Sequence, residues 1–119
     1  MGKIDVTLQI KNPHQPGKTF TGEFLVDTGA KYTVLPEKIW KLLALKPERS
    51  QKFSLADGSV VERPISSAYI KYKNMEAPGP VILGEKNDSP LFGVVNLETM
   101  GLTISPFSRE IYPDTLMTL

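Results

Sequence analysis

Ten prolines and nine glycines cut this 119-residue chain into short segments, and most of them carry the two-residue apolar period of half-buried strands. Ile4, Val6, Leu8 and Ile10 alternate with Lys3, Asp5, Thr7 and Gln9. A turn is expected over 13–17, then a strand over 18–26 with Phe20, Phe24 and Val26 on one face. Leu25 breaks that alternation, so the strand becomes apolar on both faces as it nears Asp27, as suits a strand entering the interior. A short strand is expected over 32–35. Pro36 and Glu37 then open a helix whose apolar face is Ile39, Leu42 and Leu43, with Trp40 packed beside it, ending at Lys46-Pro47. Residues 53–61 carry a hairpin signal centred on Asp57-Gly58. Strand character continues over 65–72, a turn is expected at 77–80, an apolar strand follows at 81–84, and 91–95 is apolar again. Asn96 is expected to cap a short helix that ends at Gly101. Residues 102–104 form a last strand before a turn at 105–106 and a short tail. The sum is a mainly β chain, closed or nearly closed on itself, with one or two short helices.

Composition narrows the function. The length fits one domain spanning 1–119, small enough that an oligomer interface would help to bury its surface. Fourteen basic and 13 acidic residues leave a net charge of +1, with no basic block to draw nucleic acid or an anionic membrane. There is no cysteine, which excludes disulfides, thiolate catalysis and cysteine-bound metals. The single histidine, His14, sits among prolines in the expected turn, and no Gly-x-Ser-x-Gly accompanies it for a serine triad. Carboxylates are dispersed rather than clustered, so no metal is expected, and no phosphate-binding glycine loop is present. The N-terminal residues alternate polar and apolar, and no segment has the ~20 apolar residues of a membrane span. A soluble, cytoplasmic protein is the expectation.

The chemistry concentrates in Phe24-Leu25-Val26-Asp27-Thr28-Gly29-Ala30. An aspartate at the end of an apolar strand is partly desolvated, which makes its proton affinity responsive to its surroundings. The glycine permits a sharp turn and brings its N–H toward the carboxylate. The threonine hydroxyl can brace the loop. Asp-Thr-Gly followed by a small residue arises by chance in roughly one of a few hundred chains of this length, so the tetrapeptide alone does not decide. Asp, Thr and Gly are also ordinary turn residues, and a plain strand-ending turn is the competing reading.

The surroundings separate the two. Residues 24–36 resemble the retropepsin-like aspartic protease family, which includes the retroviral proteases, in the pattern of its short bacterial and archaeal members. That pattern is an apolar strand, Asp-Thr-Gly-Ala, two variable residues, and Thr-Val-Leu, which stands here as Thr33-Val34-Leu35. The 53–61 hairpin resembles the family's flap. Leu91-Phe92-Gly93 resembles its later apolar pair followed by glycine, and 94–102 the short helix beyond it. Together these cover about three-quarters of the chain, in the family's order.

The resemblance implies an acid-protease-type closed β-barrel and a homodimer. Only one Asp-Thr-Gly occurs, while the family's mechanism needs two carboxylates sharing a proton, so the second would be Asp27 of another copy across a two-fold axis. It implies Asp27, Thr28 and Gly29 as catalytic residues, with Thr28 interlocking between copies. Ala30 and Lys31, with Ala56, Asp57 and Gly58 of the flap, would contact an extended peptide substrate, and no cofactor or metal would be needed. Two departures stand out. Lys31 and Tyr32 occupy positions where retroviral members place acidic residues that contact substrate backbone. The tail over 112–119 is only weakly strand-like, where retroviral dimers interleave terminal strands. Two alternatives remain: a non-catalytic member of the same fold serving as a peptide-binding or dimerisation module, and an unrelated small β-barrel binding domain.

Overall fold

The computed structural model describes residues 4–105 and 110–113. β1 (Ile4–Asn12) and β2 (Gln15–Val26) form an antiparallel hairpin in which Ile4 faces Val26. Val6, Leu8 and Ile10 are buried, as the alternation predicts, together with Phe24 and Val26 from β2. The turn between the strands is shorter than the expected 13–17, because pairing resumes at Gln15. Asn12 explains the difference. Its buried Oδ1 accepts the N–H groups of His14 (2.8 Å) and Gln15 (3.2 Å), which folds the chain back at once. Its Nδ2 donates to the Leu43 carbonyl at 2.8 Å and ties the hairpin to the following helix.

β3 (Thr33–Leu35) leads into α1 (Glu37–Leu42). The helix expected over 36–46 stops early: Ala44 takes φ 55°, and the Leu45 N–H turns back to the Trp40 carbonyl at 3.0 Å. Ile39 and Leu43 are buried four residues apart, but Leu42 is 58% exposed. The expected three-residue apolar face is therefore corrected to a narrow stripe of two, which suffices for a helix of six residues lying on a barrel. Trp40 packs as expected, half-buried, with its Nε1–H donating to the Gly84 carbonyl at 2.8 Å.

β4 (Arg49–Ser54) and β5 (Val60–Tyr72) form the next hairpin, with β6 (Met75–Leu83) antiparallel to β5. The turn expected at 77–80 is contradicted, for Ala77-Pro78-Gly79-Pro80 runs through the middle of β6, and the chain reverses instead at Lys73, φ 55°. Two prolines are tolerated there because, two apart, they share one side of the strand. The Pro80 carbonyl also accepts the Asn96 Nδ2–H at 3.3 Å.

β7 (Leu91–Phe92) precedes α2 (Val94–Thr99), and β8 (Leu102–Ile104) pairs with β9 (Ile111–Pro113). Of the apolar run over 91–95, only the first two residues are strand. Gly93, not Asn96, occupies the N-cap of α2, and the expected cap residue lies inside the helix with its side chain turned into the core. Pro106 of the expected 105–106 turn and 114–119 of the tail lie outside the described residues.

The strands run β1-β2-β7-β3-β6-β5, and β5 returns to β1 through Ile10 opposite Ile70, closing a six-stranded barrel. β4 hangs from β5 outside the ring. The mainly β, closed architecture with two short helices matches the sequence expectation. Phe24, Phe92, Leu8, Ile10, Leu35 and Ile70 form its centre, each almost fully buried. β7 is wedged between β2 and β3, parallel to the first and antiparallel to the second. Those are the strands on either side of the Asp27 loop, so β7 fixes both ends of it.

Candidate active site

Asp27 follows directly on β2, half-buried, at the point where the strand leaves the core. Its N–H donates to the Phe92 carbonyl at 3.3 Å, continuing the parallel pairing with β7. Its own carbonyl accepts the Ala30 N–H at 3.0 Å, closing a turn over 27–30. Its carboxylate Oδ1 accepts the Gly29 N–H at 2.8 Å, the contact expected of that glycine. Among the described residues, Oδ2 takes no hydrogen bond and the Thr28 hydroxyl makes none; Thr28 and Gly29 are exposed. One carboxylate oxygen is thereby held by the loop itself.

The far side of the loop is bolted to α2. The Val94 and Val95 N–H groups at the start of the helix donate to the carbonyls of Ala30 and Lys31, both at 2.9 Å. Beneath them lies a buried polar knot. The Asn96 Oδ1 accepts both the Thr33 hydroxyl (2.7 Å) and the Thr33 N–H (3.1 Å). The Thr33 Oγ1 in turn accepts the Gly93 N–H at 3.1 Å. With the Asn96 amide donating to Pro80, no buried side-chain polar atom among the described residues lacks a partner. Truncating Asn96 to Ala strands the buried Thr33 N–H, and the expected cost is about 2 kcal/mol. The check is the urea unfolding midpoint, which would not move if the knot were incidental.

The β4–β5 hairpin arches over this region. Tyr32, beside the Asp27 loop, meets Phe53 of β4 edge to face, with ring centroids 5.9 Å apart. The tip spans 55–59, and Gly58 alone takes a positive φ, 86°. The Asp57 carboxylate braces the tip by accepting the Ser59 hydroxyl (2.6 Å) and N–H (2.9 Å), and these bonds hold its pKa below the usual carboxylate value. A lowered folded-state pKa means that the charged form favours the closed tip above the unfolded value of about 3.9, and that this contribution fades as pH falls through the lowered one. The Ser59 amide resonance should therefore hold its bonded position to below the ordinary aspartate range and titrate only beyond it. In Asp57→Ala that titration should vanish.

Between hairpin and loop lies a cleft of about 390 Å³. Gly29, Ala30, Lys31 and Tyr32 form one wall, and Phe53, Ser54 and Leu55 of the hairpin form the opposite one. Val34, Val61, Ile82 and Leu91 make its base apolar, with Arg63, Asp88 and Ser89 at its edges. Of the expected substrate-contacting residues, Ala30 and Lys31 stand in this wall. Ala56, Asp57 and Gly58 sit at the exposed hairpin tip outside the lining, and Asp27 and Thr28 lie just past its end. Among the described residues no group of three or more His, Asp or Glu side chains is placed to hold a metal, and no helix is long and apolar enough to cross a membrane.

The family model described as "gag-polyprotein putative aspartyl protease" matches residues 17–99, from within β2 to the end of α2. The chain belongs to this aspartyl protease family. The matched span takes in the Asp27 loop, the β4–β5 hairpin and the β7–α2 unit that anchors the loop. The closed barrel is consistent with the retropepsin-like fold of such domains. No curated protein matches the chain.

Three features of this protease domain were not predicted from sequence. Asparagine favours helix starts, so the local sequence points to a cap for Asn96, and nothing local shows that its partner Thr33 lies 63 residues away. The Tyr32–Phe53 contact likewise joins distant segments. Arg63 enters the cleft lining from near the start of β5, where its strand position gives only its face and not its neighbour Glu85.

Proposed function

We propose that this chain is an aspartic endopeptidase that acts as a homodimer, with one Asp27 from each copy at a shared site. What carries the reading is the state of Asp27 within a chain of this family. It is fixed through Oδ1 by Gly29, it stands beside a peptide-sized cleft under a hairpin flap, and its second oxygen takes no bond from the described residues. One Asp27 is ionised and takes a proton from a water held between the two carboxylates. The other is protonated and donates to the scissile carbonyl oxygen. The water oxygen bonds to the carbonyl carbon, and the tetrahedral intermediate collapses as the C–N bond breaks and the nitrogen takes a proton. The exposed Thr28, with no side-chain bond from the described residues, meets Thr28 of the second copy and holds the carboxylates level. The flap closes over an extended peptide and excludes water.

The test is incubation of the wild-type chain with a mixed peptide pool from acidic to neutral pH, read by mass spectrometry. Internal cuts in extended peptides are expected. Intact peptides at every pH would contradict the endopeptidase and leave a peptide-binding module of the same fold.

A further inference from the structure

The charged groups around the cleft are unequally engaged. The Arg63 Nη2 is 2.6 Å from Glu85 Oε1, and its Nη1 donates to the Glu62 carbonyl at 3.0 Å. The Asp88 Oδ2 accepts the Glu85 N–H at 2.6 Å, which ties that carboxylate to its own loop. Lys31 differs from both. Among the described residues its ammonium has no ion-pair or hydrogen-bond partner and lies only near the Tyr32 ring, 6.0 Å from the centroid. Its backbone is fixed nonetheless, because its carbonyl is held by the Val95 N–H at 2.9 Å. The cleft therefore presents one uncompensated cation on an anchored stem, four positions past Asp27, above an apolar base.

An exposed lysine is ordinarily only a solvated surface group. Here a peptide seated in the cleft covers the apolar base and strips water from around the ammonium, so the sign of the nearest ligand charge counts for more than at an open surface. Resting on the reading of this cleft as a peptide groove, we propose that Lys31 makes it selective for a carboxylate next to an apolar anchor. The anchor seats against Val34, Phe53 and Leu91, and the carboxylate of an acidic side chain or of a chain terminus meets the Lys31 ammonium. Arg63 is already neutralised by Glu85 and contributes little to the choice. Asp88, whose carboxylate also lines the cleft, disfavours an acid placed beside it.

The test uses the full chain carrying Asp27→Asn, so that bound peptides are not cut. The probes are fluorescein-labelled octapeptides with one leucine anchor and Glu, Gln or Lys at each of three positions on either side. A second set ends within two residues of the anchor as a free acid or an amide. Fluorescence anisotropy is expected to show Glu binding about fivefold or more tightly than Gln on one flank, with Lys weakest. The ranking should shrink with added salt and reverse when Lys31→Glu is added. A preference for free acid over amide in the second set, lost with Lys31→Glu, assigns the carboxylate to a chain terminus instead and equally sustains the proposal. Because each comparison is a ratio within one protein, partial misfolding of a variant does not imitate the result. Equal binding of Glu, Gln and Lys, a Glu preference that survives Lys31→Glu, or no binding by any peptide would overturn it. Cleavage of the same peptides by wild type is scored separately. The ranking without cleavage removes the protease reading and leaves the carboxylate subsite, and cleavage without the ranking does the reverse.

Discussion

Asp27→Asn is expected to lower peptide cleavage by about 10³-fold or more at every pH, while leaving the unfolding transition where it is. The two halves of this result come from different oxygens. Asparagine keeps an Oδ1 able to accept the Gly29 N–H, so the turn over 27–30 and its backbone bonds to Phe92 and Ala30 remain. It cannot take a proton from water or deliver one to a carbonyl, so neither proton transfer proposed for the pair survives. Circular dichroism melts alongside cleavage rates give both readouts on one sample. Retention of cleavage within tenfold of wild type would move the chemistry to other residues.

Gly93→Ala is expected to destabilise the domain by about 3 kcal/mol or more, enough to lower its melting temperature by roughly 10 °C. An added Cβ at this position would lie 2.3 Å from the Tyr32 carbonyl carbon, 2.6 Å from its oxygen and 2.7 Å from the Thr33 nitrogen. All three are backbone atoms, and they have little freedom to retreat. Thr33 is paired with Val81 across β6, and its N–H and hydroxyl are both committed to Asn96. Backbone strain is not the cause, since φ is −89° and ordinary for alanine. The effect is pure overlap between β7 and the chain leaving the Asp27 loop. Because that contact seats the loop, whatever folded protein remains should also cleave poorly, which thermal melts and rates measured on the soluble fraction will show. An unchanged melting temperature would mean that the two segments pack less closely than described.

These effects bear on how much of the molecule its sequence discloses. The strand pattern was legible wherever one face is buried and the other wet, as in β1, because the two-residue period directly records burial. It misled where a local signal was overruled from a distance. Pro78-Gly79-Pro80 carries every local mark of a turn, yet it is held in β6 opposite Ser67, Ala68 and Tyr69 of β5, and Gly79 leaves room for the Asn96 amide, whose Nδ2 would lie 2.4 Å from an added Cβ. Leu42 fits the apolar spacing of a longer helix, but Ala44 ends α1 before that face is needed. The Asp27 loop was legible because its glycine and small residues are demanded by geometry within a few positions. The knot of Thr33, Gly93 and Asn96 that seats it was not, since its members are joined only by the fold. Lys31 was visible as a departure from the family's acidic pattern, but its lack of a partner among the described residues is legible only in the fold, where Arg63 and Asp88 are engaged.

The central claim, a single site shared between two copies, is tested most directly by mixing. Wild type and Asp27→Asn are unfolded together in equal amounts, refolded, and assayed at fixed total protein with dilute substrate. A shared site leaves only wild-type pairs active, and the rate should fall to about a quarter of that of pure wild type. A rate of about half would mean that each chain carries its own complete site, and it would contradict the account.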